Sequence, residues 1–173
     1  MMILKILLCF AFLVAINVSD IKEYKIKNKV VLPMLIAGLV LGLVTRNFTN
    51  CVFGMLLPLV LFPLYALKML EAGDIKALCA IGAVVGLENS VMTVVFTFLS
   101  GGVIAVIFLL VRRNFANRMK YFFGYLKMCF LTKSIQKYDF GGNNKGYFRF
   151  AYAITAGTIL MFVNEYVNVV NLI

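Results

Sequence analysis

Ala72-Gly73-Asp74-Ile75-Lys76-Ala77-Leu78-Cys79-Ala80-Ile81-Gly82-Ala83-Val84-Val85-Gly86 sets one carboxylate at the mouth of an apolar run. A carboxylate beside hydrocarbon is costly unless it is paired or wetted, so Asp74 marks a candidate functional site. The run behind it is rich in glycine and alanine, with Gly82 and Gly86 four apart. That composition suits a buried, tightly packed helix.

Working outward, the composition agrees with a membrane setting. The 173 residues are 63% hydrophobic and only 14% charged, with mean hydropathy +0.98, far from the average of soluble domains. We expect an all-α membrane protein, one polytopic bundle of about six transmembrane helices at roughly 20 residues each. A single transmembrane domain then covers residues 1–173, with no length left for a second.

The expected spans are residues 1–18, 30–44, 48–67, 75–87, 91–111 and 150–170. The first has the look of a signal peptide, with Lys5 ahead of an apolar stretch, but no A-x-A-like cleavage site follows before Asp20, so it is expected to stay as a span. A polar loop from Ser19 to Lys29 carries four lysines. Gly38 and Gly42 in the second span allow another helix to come close. Pro58 and Pro63 in the third imply kinks whose freed carbonyls neighbours must satisfy. Glu88-Asn89-Ser90 reads as a minimal turn. Residues 112–149 form the one long basic loop, with an aromatic stretch from Tyr121 to Leu126 that reads as an interfacial amphipathic helix.

Basic residues report orientation in a membrane protein. With the first polar loop inside, six spans leave only Lys5 and Arg46, of seventeen Lys and Arg, on the outer side. The chain is expected in the cell (cytoplasmic) membrane as a multi-pass protein with its N-terminus outside. The lipid bilayer is thus its partner, and the net charge of +10 needs no nucleic acid to explain it. Cys9, Cys51, Cys79 and Cys129 are scattered with no C-x-x-C pair, so neither zinc nor a disulfide framework is expected. No cofactor is expected either.

That topology puts Asp20, after span one, and Asp74, before span four, at the same cytoplasmic boundary. Two carboxylates held close share one proton. The ionised member can draw a proton from water while the protonated one hydrogen-bonds a scissile carbonyl, the division of labour of aspartic proteases. The chain contains no histidine, which removes Ser-His and Cys-His mechanisms and the usual imidazole metal ligands. Acids at span ends also commonly sit in the headgroup region, and Lys76 can serve simply by snorkelling.

At these residues the sequence resembles the type IV prepilin peptidase family, GxGD-type intramembrane aspartyl proteases. The family's D-x(5-6)-I-P-N-like stretch appears as Asp20-Ile21-Lys22-Glu23-Tyr24-Lys25-Ile26-Lys27-Asn28, and its G-x-G-D-x-K-L stretch as Glu71-Ala72-Gly73-Asp74-Ile75-Lys76-Ala77-Leu78. Ala156-Gly157 is similar to the family's final helix. The resemblance implies Asp20 and Asp74 as the catalytic pair, Gly73 and Lys76 in support, and Glu23, Asn28 and Glu71 as substrate contacts.

The implied substrate is a prepilin-like chain with a short basic leader, ending in glycine, ahead of an apolar helix. Without C-x-x-C pairs the chain is closest to short, peptidase-only forms that serve Flp/Tad-type pili or archaeal preflagellins, and N-methyltransferase activity is not expected. Two positions depart from the pattern: Glu71 stands for the first glycine of G-x-G-D and Lys27 for proline. A third acid beside Asp74 can raise its pKa, and the departures leave open a divergent specificity or a reduced activity. Two other readings stay open, a small proton-coupled transporter and a catalytically inactive structural subunit of a pilus export machine. Acids at one face and the lack of an internal repeat speak against the first, and the Glu71 departure alone favours the second.

Overall fold

Inside hydrocarbon a backbone must satisfy its own polar groups, and a helix does so within one segment. The structure is a computed structural model that describes residues 2–23, 26–66, 70–111 and 150–171, and every regular element among them is helical. The helices are α1 (Met2–Glu23), α2 (Asn28–Val44), α3 (Phe48–Leu56), α4 (Phe62–Ala66), α5 (Ala72–Val85), α6 (Leu87–Val111) and α7 (Phe150–Asn171), with a 3-10 segment Leu57–Leu61 joining α3 to α4. The expected long basic loop at 112–149, with its aromatic stretch, lies outside the described residues. The chain divides into two compact units, Met1–Gly101 with Arg149–Ile173, and Gly102–Phe148. All that follows concerns the first.

The expected six spans resolve into two kinds of helix. Four stretches are long and apolar enough to cross a membrane: Met2–Lys22, Phe48–Ala66, Leu87–Ile107 and Phe150–Asn168. The other two are shorter, α2 with 17 residues and α5 with 14. At 1.5 Å per residue α5 reaches roughly 21 Å, short of a hydrocarbon core of about 30 Å.

Its shortness goes with its place. From Ala77 to Val85 every residue of α5 is buried, because α1, α2, α3 and α7 all pack on it. Small side chains make this possible. A Cβ on Gly38 of α2 would stand 2.8 Å from the carbonyl carbon of Ala83, and Gly54 of α3 lies directly against Gly82 with no side chain between them. The two glycines expected as one stripe on α2 serve two neighbours, Gly38 facing α5 and Gly42 facing Cys51 of α3.

Around this axis the outer helices bury one stripe each. On α1, Cys9, Phe12, Leu13 and Ile16 face the core at helical spacing, while Leu7 (61% exposed) and Phe10 (62%) face outward. Both faces are apolar. A soluble protein keeps exposed apolar patches small, whereas lipid is a good solvent for such a surface, and the fold is that of an all-α membrane protein.

Two helix ends differ from the expected ones. The chain between α5 and α6 turns at Gly86, and Glu88, Asn89 and Ser90 belong to the first turn of α6. Gly86 has φ 91°, a value that favours glycine, and the Asn50 side-chain oxygen accepts the Leu87 N–H at 3.0 Å. The loop expected from Ser19 to Lys29 is shorter: α1 runs on to Glu23 and α2 begins at Asn28.

Candidate active site

The longer α1 places Asp20 on a helix. One turn earlier, Asn17 donates to the Leu13 carbonyl and to the Thr155 hydroxyl of α7, each at 2.7 Å, so the end of α1 is tied to its neighbour. Sequence reading passed over Asn17. Its signal was a lone amide in an apolar run, three residues before an acid and therefore on the same helical face.

Asp74 is the third residue of α5, ahead of the apolar run. Glu71 precedes the helix in an extended conformation (φ −85°, ψ 150°), and its backbone N–H donates to Asp74 Oδ2 at 3.2 Å. The helix N-terminus leaves such N–H groups without intrahelical partners, and an acid there takes one of them. Asp74 is nevertheless only 8% exposed. Burial pushes its carboxyl up from the ordinary 3.8 to about 7. The Glu71 N–H opposes the rise, and the charges of Glu71 and Asp20 add to it. Asp20, 54 positions earlier in the chain, is thus near enough to act on Asp74 electrostatically, and it is itself only partly buried.

The residues around the two acids are also brought together. The space above Gly73 is filled by Ile26, whose Cβ would stand 3.1 Å from a Cβ at that position. Lys76 Nζ donates to Asn28 Oδ1 at 3.1 Å. The stretch after Asp20 and the stretch around Asp74 therefore touch at two places.

Between them opens a cavity of about 460 Å³, its walls including Glu71, Ala72, Gly73, Lys76, Ile26 and Asn28. Tyr65 of α4 and Leu70 complete it, and neither carried a sequence signal. Asp20 and Asp74 are not wall residues, although Asp74 directly follows Glu71, Ala72 and Gly73 of the wall. Glu23 ends α1, and its side chain lies outside the described residues.

Taken together, a buried acid with a raised pKa, a second acid whose charge acts on it, and a polar cavity alongside lie at one place in the fold. The model of the type IV leader peptidase family matches residues 7–106, more than half of the chain and inclusive of both acidic stretches. The protein belongs to that family of peptidases. No curated protein and no solved structure matches it. The match ends before α7, so the likeness of Ala156-Gly157 to a family helix falls outside it. There Gly157 packs directly against Thr97 of α6.

Proposed function

We propose that the chain is an aspartyl endopeptidase that removes the short basic leader of a prepilin-like substrate at the cytoplasmic membrane face, with Asp20 and Asp74 as its catalytic pair. The observation that carries this reading is a buried Asp74 whose carboxyl burial pushes up to about 7, the charges of Glu71 and Asp20 adding to the rise. Two carboxylates so placed can share one proton as pH falls through that range.

In this reading the difference in burial supports a division of roles. Asp74, the more buried, keeps the proton and donates it as a hydrogen bond to the scissile carbonyl oxygen. Asp20, the more open, takes a proton from the attacking water. The water oxygen bonds to the carbonyl carbon, giving a tetrahedral oxyanion that the Asp74 hydrogen bond steadies. Its collapse breaks the C–N bond as the proton held by Asp20 passes to the leaving nitrogen. The leader departs with a carboxyl group and the mature chain keeps an amine. Asn28, Glu71 and Gly73 line the cavity through which a leader would pass. The Lys76–Asn28 bond holds the two stretches in register.

A peptidase-only enzyme for Flp-like pilins or preflagellins, without methyltransferase activity, accords with four cysteines that form no C-x-x-C pair. A proton-coupled transporter gains nothing from acids placed at helix ends.

Leader cleavage in membranes tests the proposal. The chain is co-expressed with a prepilin whose leader ends in glycine, beside Asp20→Asn and Asp74→Asn. Cleavage by the parent and intact leader with both variants is the expected result. A variant that still cleaves at the parental rate removes that aspartate from the pair.

A further inference from the structure

The polar cavity does not end at Asn28 and Lys76. A second hollow of about 400 Å³ begins at the same two residues and runs along the surface between α2, the end of α3 with the 3-10 segment, and α5. Its walls are Val31 and Leu35 of α2, Leu56 and Leu59, and Ile75 and Cys79 of α5. Leu56 (44% exposed) and Leu59 (49%) open it to the bilayer. Elsewhere α5 is enclosed by its neighbours. Here two of its side chains, just past Asp74, line a hollow that faces lipid.

The groove exists because of a break in helix geometry. Pro58 and Pro63 prevent a continuous α-helix, and Leu57–Leu61 takes the 3-10 form, which carries Leu56 and Leu59 to the rim.

We infer that this groove seats the apolar helix of the substrate, beginning immediately after the scissile bond; the inference rests on the peptidase reading above. The occupant follows from continuity. A chain whose leader lies in the polar cavity beside Glu71, and whose scissile bond lies over Asp74, leaves the cavity past Asn28 and Lys76 into an apolar channel open to lipid. A polar segment would lose hydration there, and an apolar helix loses nothing. A groove of this width receives one helical face, side chains at i, i+3, i+4 and i+7. Cys79 lies five residues beyond Asp74, roughly 7.5 Å along the axis. The substrate residue about five positions past the cut therefore lies beside Cys79.

The test uses the full-length chain in lipid nanodiscs and a prepilin with a photo-crosslinking residue placed in turn along its apolar helix. Crosslinking is read with Asp74→Asn, so that it reports binding without cleavage. Capture at Leu35, Leu56, Leu59 and Cys79, strongest about five residues past the cut and repeating every three to four, is the expected result. In the parent, Leu35→Trp and Leu59→Trp fill the groove and raise KM about five- to tenfold, with a smaller change in kcat.

Capture spread evenly over the lipid-facing surface, or KM unchanged in both variants, overturns the inference and leaves lipid as the occupant. That result stands apart from failure of the peptidase reading, which shows as an intact leader with the parent enzyme.

Discussion

The Ser90 hydroxyl on α6 donates to the Gly54 carbonyl on α3 at 2.9 Å. In an α-helix that carbonyl would receive the N–H of residue 58, and Pro58 has none. Ser90 supplies the missing donor from another helix, at a site where it is 1% exposed.

Ser90→Ala should therefore strand a buried carbonyl and cost about 1–3 kcal/mol. In a Pro58→Ala background the cost should shrink, because the introduced alanine brings its own N–H. Unfolding of the four proteins in nanodiscs gives the coupling directly. Equal costs in both backgrounds would mean that the proline and the serine are unrelated.

Gly38→Ala drives a Cβ to 2.8 Å from the Ala83 backbone, and backbone in a packed helix cannot yield as a flexible side chain can. The expected loss is about 1–3 kcal/mol, read as a lower melting temperature. Because α5 also carries Asp74, cleavage should fall further than stability alone explains. A variant as stable as the parent would show that the α2–α5 contact is looser than described.

The raised pKa of Asp74 is a statement about stability. Its folded value of about 7 exceeds the ordinary 3.8, so the folded state holds the proton more tightly than the unfolded one. The stabilisation is complete below about pH 4 and is lost as pH rises to about 7, at up to roughly 1.4 kcal/mol per unit. Melting temperature measured against pH should fall across that window in the parent and stay flatter in Asp74→Asn. Parallel curves would place the proton elsewhere.

Glu71 adds its charge to the forces that raise Asp74. Glu71→Gln keeps the backbone N–H that Asp74 accepts and removes the charge. The upper pH limit of leader cleavage should move down, since Asp74 then loses its proton earlier. A limit that stays in place would deny Glu71 any part in tuning the pair. An upward move would reverse the sign of the argument.

Much of this was legible in the chain. Long apolar runs bounded by polar residues leave the backbone few choices, so all-helical structure and the ends of α2 and α7 could be read within a residue or two. The two acidic stretches could be picked out because charge beside hydrocarbon is expensive wherever it falls. The turn at Gly86 was harder. Glu88-Asn89-Ser90 has turn composition, but those residues also suit a helix N-terminus, and only the positive φ of Gly86 separates the two.

By itself the sequence determined a helical membrane protein with Asp20 and Asp74 near helix ends, because hydropathy and charge act locally along a chain. Tertiary structure alone decided that a 14-residue helix is the enclosed centre, since enclosure depends on which glycines meet across space. It also decided that α1 runs past Asp20, tied through Asn17 to Thr155, that Ser90 answers Pro58, and that Asp74 is buried. Desolvation and Coulomb forces depend on distance in space, and no separation along a chain reveals that.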